Sequence, residues 1–303
     1  MCGIVGYVGK QQAAPILLEG LSKLEYRGYD SAGIAVLSDG KISVSKTRGR
    51  LKNLYDMIDG GNAVSGTIGI GHTRWATHGE PSDVNAHPHL SKSGKFAVVH
   101  NGIIENYIPL KKKLAEKGFE FVSETDTEVI AHLFEYYYKG DLIDAMSQVI
   151  NHVEGSYALG IICDDYPDRF VAVKKASPMI VGLGDGENFI ASDVTAILKY
   201  TKNVYYLEDD EIVMLSKDGV KVYNPFDKEE IKKEMFTVDW DISTAEKGGY
   251  EHFMMKEIED QPKALKDTIS PRIKDGKVVL DNFSLDEDQI KKLKKIHIVA
   301  CGS

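Results

Sequence analysis

A layered α+β fold, with two sheets facing each other and helices on the outside, is what this sequence predicts. Three observations carry it. Asp-Gly pairs stand between apolar segments at Asp39-Gly40, Asp185-Gly186 and Asp218-Gly219. Such pairs mark tight hairpins, because glycine takes the positive φ of a primed turn, so antiparallel pairing dominates over βαβ crossovers. Short strands and amphipathic helices alternate along the first half, and from Ser156 the pattern turns strand-rich. Hydrophobic residues make up 43% of the 303 and charged residues 27%, a balance that allows a sizeable buried core.

In chain order, Cys2 to Gly9 reads as a buried strand, and Ala13 to Leu24 as a helix with Ile16, Leu17, Leu21 and Leu24 at near-helical spacing. Ala32–Leu37 and Ile42–Lys46 are strands around the Asp39-Gly40 turn. Thr67–His72 and Phe96–Asn101 are further strands, each ending on a polar residue. Tyr107–Lys117 reads as a helix stopped by Gly118. Thr125-Asp126-Thr127-Glu128 has the spacing of a capping box and opens a helix to about Tyr138, with another over Leu142–Val153. Then come strands at Ser156–Cys163, Phe170–Lys174, Met179–Gly184, Phe189–Ser192, Val204–Leu207 and Glu211–Ser216.

From Asn224 the chain turns polar and charged, with a helix over His252–Lys266 interrupted at Pro262. Lys291–Lys295 is a basic run, followed by apolar Ile296–Ala300 and then Cys301-Gly302-Ser303. A short apolar strand running into a small-residue turn is how a parallel α/β domain opens. The expected organisation is therefore a compact domain over 2–223, a linker region over 224–290, and the start of a truncated second domain over 291–303.

The 37 basic and 46 acidic residues leave a net charge of −9, with no standout basic block, which argues against a nucleic-acid partner. Three cysteines without repeated spacing fit a reducing compartment rather than a disulfide framework. The apolar N-terminus is too short for a signal-peptide core and far below a membrane span, so a cytoplasmic protein without a membrane partner is expected.

Several residues bear chemistry. Removal of Met1 would leave Cys2 with both a thiol and a free α-amine, whose pKa of roughly 7.7–8.0 lets it act as a base. Taken alone, such a cysteine is more often an incidental thiol at a frayed end; the buried strand behind it argues otherwise. Gly71–Gly79 (GHTRWATHG) reads as a loop in which Arg74 suits a carboxylate, against a plain solvated loop with a packed Trp75 at even weight. Asn101-Gly102 offers a side-chain amide beside a backbone N–H, a pair of oxyanion donors, or else a common Asn-Gly turn. Asp126 either caps its helix, the blander reading, or faces a ligand ammonium. His72, His78, His87, His89 and His100 raise a metal site, but they lack zinc-ligand spacing. Gly182–Gly186 fits a hairpin better than a phosphate loop, so no cofactor is expected.

Six segments in order carry a resemblance: MCGIVGYVG at the start, LEYRGYDSAG at 24–33, GHTRWATHG at 71–79, NAHPH at 85–89, HNGIIEN at 100–106 and SETDTE at 123–128. Together they resemble the glutamine–fructose-6-phosphate aminotransferases (isomerising), and the likeness runs over essentially the whole chain. The resemblance implies a four-layer αββα sandwich of the N-terminal-nucleophile hydrolase type, joined to a sugar-isomerase domain of which only the first strand is present. It implies that Cys2 attacks the side-chain amide of L-glutamine, that Asn101 and Gly102 hold the oxyanion, and that Arg74, Thr77, His78 and Asp126 bind the amino-acid end. Arg27 resembles the residue ordering the nucleophile region, and Trp75 a gate on the ammonia path. Fructose 6-phosphate is the implied acceptor in the longer enzyme alone, which is implied to be a homodimer making glucosamine 6-phosphate. Other readings are another amidotransferase, of the phosphoribosyl or asparagine synthetase type, and a non-catalytic glutamine sensor.

Overall fold

The computed structural model describes residues 2–239, 249–280 and 284–297. The chain divides into a unit over residues 1–245 and a second over 246–303.

In the first unit the strands form two antiparallel sheets. The first holds β1 (Gly3–Val8), β2 (Ser31–Ser38), β3 (Lys41–Arg48) and β4 (Ile68–Arg74). The second holds β5 (His89–Leu90), β6 (Phe96–Ile104), β7 (Gly155–Cys163) and β8 (Arg169–Lys175). To the first are added β9 (Ile180–Leu183), β10 (Asn188–Ala191) and β11 (Asn203–Tyr206), and to the second β12 (Ile212–Ser216) and β13 (Gly219–Tyr223). Two-residue edge strands β14 (Glu230–Ile231) and β15 (Phe236–Thr237) complete them, in the orders β15-β11-β9-β10-β1-β4-β2-β3 and β14-β13-β12-β8-β7-β6-β5. Pairing past Tyr223 thus keeps the chain in the sheets: the first unit runs on beyond the boundary that composition suggests at 223.

Three apolar layers explain the stacking. Alternation along β1 sends Ile4 and Val8 inward, where they join Ile68, Ile70, Val99, Ala158 and Phe170 between the sheets. Val5 and Tyr7 point outward against α1 (Ala13–Ser22) and α2 (Leu51–Met57). On the far side, α3 (Tyr107–Glu116), α4 (Glu128–Tyr137) and α5 (Leu142–Ile150) cover the second sheet through Phe96, Val98, Tyr157, Leu159 and Phe134. The result is the expected four-layer αββα sandwich. Gly6 and Gly160 let the sheets approach: a Cβ would lie 3.1 Å from Phe170 Cζ of the facing sheet at the first and 2.8 Å from Ile190 Cδ1 of the facing sheet at the second.

The turn at Asp39-Gly40 is as expected: both residues have positive φ, and Ser38 pairs with Lys41. At Asp218-Gly219 the turn is one residue earlier than its dipeptide suggests. Ser216 pairs with Gly219, so Lys217-Asp218 makes the turn and Gly219 already belongs to β13.

The predicted capping box does not form. Thr127 precedes α4 without a side-chain cap. Glu128, 2% exposed, instead accepts hydrogen bonds from Val122 N–H at 2.9 Å, Ser123 N–H at 2.7 Å and Ser123 Oγ at 2.6 Å, tying down the incoming loop. Burial alone would raise its carboxyl, but its bonds with His132, Ser123 and Val122 outweigh that and hold it at about 2. The folded carboxylate is therefore held below its unfolded value, so its stabilisation is full above 4.5 and is lost as pH falls towards about 2. Across that range, denaturant titrations should show wild-type stability falling more steeply than that of Glu128→Gln; parallel curves would count against this account.

The second unit contains α6 (Phe253–Ile269), which continues across Pro262 rather than breaking there. Proline lacks the N–H for one helical bond, and the helix tolerates the loss. A hairpin of β16 (Ile273–Lys274) and β17 (Lys277–Val278) follows, turning at Asp275-Gly276 with positive φ at both; the rule applied to the other Asp-Gly pairs would have found it. Then comes α7 (Glu287–Lys291), capped by Asp286. Met1 and the expected turn Cys301-Gly302-Ser303, with most of the strand before it, lie outside the described residues. No helix among the described residues is long and apolar enough to cross a membrane.

Candidate active site

The candidate residues gather where β1 begins, beside the ends of β4 and β6. Gly3 pairs with Thr73, which brings half-buried Cys2 against the exit of β4. Trp75 N–H donates to Cys2 Sγ at 3.1 Å, and the thiol faces Trp75 O at 3.5 Å. Burial pushes the Cys2 thiol above its usual value, and the Trp75 N–H opposes that.

Asn101, 99 positions away in sequence, donates its Nδ2 to the main-chain carbonyl of Cys2 at 3.1 Å. Contrary to the sequence reading, Asn101-Gly102 is not where the strand ends. Both lie within β6, opposite Ala158 and Tyr157 of β7. Gly102 has φ +127°, and a Cβ there would sit 2.0 Å from Ser156 O, so this position admits only glycine.

Arg74 is likewise not a loop residue but the last of β4, and is 4% exposed. Its Nη2 donates to the carbonyls of His78 and Gly79, the latter at 3.1 Å, which folds the 75–79 loop back over the guanidinium. Its Nη1 is buried without a partner among the described residues. A buried guanidinium nitrogen of this kind fits an incoming carboxylate. Thr77 is exposed, with Oγ1 3.3 Å from His78 Nδ1. His78 packs edge-on to Tyr107, and its Nδ1 lies 3.8 Å from Asp126 Oδ1.

Asp126 does not cap α4. It is 3% exposed and accepts Ile104 N–H at 2.8 Å through Oδ2, leaving Oδ1 towards His78. Arginine and carboxylate thus flank the same loop, the arrangement a zwitterionic ligand requires.

Arg27 sits in a single turn, Glu25–Arg27, paired with Asp193 and bonded through Nε to Tyr26 Oη at 2.9 Å. Asp193 adjoins Ser192, whose Oγ accepts Ile4 N–H at 3.0 Å, so Arg27 ties down the strand that carries Cys2. Trp75 is 51% exposed, edge-on to Tyr29 with ring centroids 5.8 Å apart.

Two residues escaped the sequence reading, and a third, His72, was weighed there only as a metal ligand. Asp30 accepts Ala76 N–H through Oδ2 and donates its own N–H to Arg74 O at 3.1 Å, fixing both ends of the loop's first turn. Gly28 lies so close that a Cβ would be 2.9 Å from the Arg74 carbonyl carbon. His72 is fully buried and bonds Asn101 Oδ1 at 3.0 Å. Gly28 and Asp30 belong to the 24–33 motif, which was the available signal.

The histidines do not converge as metal ligands. No three of their ring nitrogens fall within 4.8 Å of one another among the described residues, where the grouping that meets this distance is Cys163, Asp164 and Asp165. His89 Nε2 faces Thr125 Oγ1 at 3.1 Å and His100 Nδ1 faces Thr127 Oγ1 at 2.8 Å.

Known proteins resemble this chain in sequence and in fold. A family described as a glutamine amidotransferase domain matches residues 72–199. The glutamine–fructose-6-phosphate aminotransferase [isomerizing] of Caldanaerobacter subterraneus is 60% identical over all of this chain and 50% of its own length. That of Clostridium tetani is 58% identical over the same shares. The chain therefore spans about half the length of the curated relatives it matches. Among solved structures, the glutamine phosphoribosylpyrophosphate amidotransferase of B. subtilis superposes with a TM-score of 0.65 at 26% identity, over 74% of this chain and 49% of that one. The higher identity over the whole chain favours the sugar enzymes over the phosphoribosyl type. This chain thus carries a glutamine amidotransferase domain on an N-terminal-nucleophile hydrolase fold and is homologous, along its whole length, to glutamine–fructose-6-phosphate aminotransferases.

Proposed function

We propose that the chain hydrolyses L-glutamine to glutamate and ammonia through a thioester on Cys2. The observation that carries this reading is the meeting of the Cys2 thiol, the Asn101 amide and the buried Arg74 guanidinium at one end of two facing sheets. With Met1 removed, the α-amine of Cys2 takes the thiol proton as sulfur attacks the side-chain amide carbon. Asn101 Nδ2 and Gly102 N–H hold the oxyanion, the C–N bond breaks as the leaving group is protonated to ammonia, and water then cleaves the thioester. Arg74 holds the α-carboxylate, with Thr77 and the backbone at His78, while Asp126 pairs with the α-ammonium. Arg27 steadies the nucleophile strand, and Trp75 stands at the exit for ammonia.

In the longer protein that the relatives represent, ammonia would pass to fructose 6-phosphate and give glucosamine 6-phosphate for amino-sugar synthesis, in a cytoplasmic homodimer. Residues 2–223 together with the edge strands that follow to 237 would be the glutaminase domain, the residues from there to 290 the connection, and 291–303 the start of the sugar-isomerase domain. The test is direct. Given glutamine and fructose 6-phosphate, this chain should release glutamate and ammonia but form no glucosamine 6-phosphate. Absence of glutamate would overturn the glutaminase assignment, and amino sugar from this chain alone would overturn the division of labour.

A further inference from the structure

We infer that His72 is a positioning residue for the oxyanion donor, its ring fixing which way the Asn101 amide is turned. The inference rests on the proposed glutamine hydrolysis and adds to it a residue that touches no substrate.

His72 lies in β4 on the face between the sheets, fully buried. Its Nε2 is 3.0 Å from the carbonyl oxygen of His100 and 3.0 Å from Asn101 Oδ1. A carbonyl oxygen only accepts, so Nε2 carries the proton and Nδ1 is bare. Consistently, Nδ1 has no partner among the described residues. The Asn101 atom facing that N–H must then be the oxygen, because an amide NH₂ there would oppose two donors. The amide nitrogen is thereby turned the other way, where it meets the Cys2 carbonyl at 3.1 Å. A flipped amide would lose both contacts and present an acceptor to the developing oxyanion. The logic runs in one direction: a backbone carbonyl sets the tautomer, the tautomer sets the amide, and the amide sets the donor beside the nucleophile.

Neighbouring rings hold His72 in place. It stacks on His87 with centroids 4.2 Å apart, and His87 meets His89 at 4.9 Å. His87 Nδ1 accepts the N–H of His100 at 3.3 Å while His72 bonds the carbonyl of the same residue, so residue 100 is gripped at both ends just before Asn101. Burial keeps these imidazoles neutral, His72 down to about 3 and His87 and His89 well below their usual value, with Arg74 adding to the effect. The amide is therefore held by an N–H that does not titrate at neutral pH, and no reorganisation is needed as charge develops.

The test compares this chain with His72→Phe and His72→Gln. Readouts are glutamate release, the rate of Cys2 alkylation by iodoacetamide, and inhibition by glutamate γ-semialdehyde, which adds to the thiol to form a tetrahedral thiohemiacetal with no leaving group. His72→Phe should lower kcat roughly 10²-fold, as for loss of an aligned oxyanion donor. It should leave KM and the alkylation rate within about twofold, the pattern of an interaction made only in the transition state. The semialdehyde should weaken by a similar factor. His72→Gln, whose terminal NH₂ can reach the same acceptors, should recover at least about tenfold of kcat. A kcat in His72→Phe close to wild type would overturn the proposal. So would a joint loss of kcat, glutamine affinity and alkylation that His72→Gln does not relieve. If His72→Phe does not fold, ¹⁵N spectra of labelled histidine in the wild-type chain decide: a neutral Nε2–H tautomer at His72 is required, and an Nδ1–H tautomer overturns the assignment. Failure of the wild type to release glutamate would sink the glutaminase reading instead, which keeps the two failures apart.

Discussion

Cys2→Ala is expected to abolish glutamate release while glutamine still binds. In the proposed reaction the sulfur forms the covalent bond, and the other cysteine among the described residues, Cys163, is fully buried in β7. Removing a nucleophile from a catalytic set that acts as one unit typically costs 10⁴-fold or more, about as much as removing the whole set. The assay is glutamate production on protein whose N-terminus has been checked by mass spectrometry. Where Met1 is retained, activity should be low as well, since the basic α-amine then sits one residue away from the thiol. Binding with no glutamate release from either wild type or variant would point to a sensor. Undiminished turnover in Cys2→Ala would remove the nucleophile assignment altogether.

Arg74→Lys, a change that keeps the charge, is expected to lower kcat/KM for glutamine by roughly 10²–10⁴-fold, mainly through KM. The guanidinium does two jobs at once. Its Nη2 is occupied by the carbonyls of His78 and Gly79, while Nη1, buried without a partner among the described residues, is the nitrogen proposed to meet the ligand carboxylate. A lysine ammonium is a single point and cannot both hold the loop carbonyls and reach the ligand carboxylate. Two charge-assisted bonds at roughly 1.5–3 kcal/mol each give that range. The check is the KM for glutamine beside that for an analogue lacking the α-carboxylate. The preference for glutamine should shrink in the variant, and an unchanged KM would mean that Arg74 serves the loop alone.

Much of the scaffold was legible because its causes are local. The continuous apolar run of β1 marked a buried strand, and it is covered on both faces, Ile4 and Val8 on one side and Val5 and Tyr7 on the other. Asp39-Gly40 specified its hairpin because positive φ at both turn residues depends on those residues themselves. The short helix α2 went unread although Leu51 and Leu54, both buried, carry its spacing.

Most of the misreadings come from partners outside the short motif that was read. Asn101-Gly102 has turn chemistry, yet β7 captures it as strand, and the positive φ of Gly102 makes room for Ser156 rather than for a turn. Thr125 and Glu128 have capping-box spacing, but Thr125 is taken by His89 and Glu128 by the loop at Val122 and Ser123. At Asp218-Gly219 the register of β13 against β12, with Gly219 opposite Ser216, outranked the dipeptide. Arg74 was read in a loop because β4 extends two residues further when both β1 and β2 pair with its end.

The sequence by itself determined the residue types at the site, the antiparallel layered class and, through ordered motifs, the family. Those features are written in side-chain chemistry and short-range backbone preference. Only the tertiary structure decided that Cys2 and Asn101 touch, that Arg74 holds one nitrogen unpartnered in the interior, and that His72 orients the amide of Asn101. These depend on strands 28 to 99 residues apart meeting at one end of the sandwich, and on buried polar atoms having to find partners there.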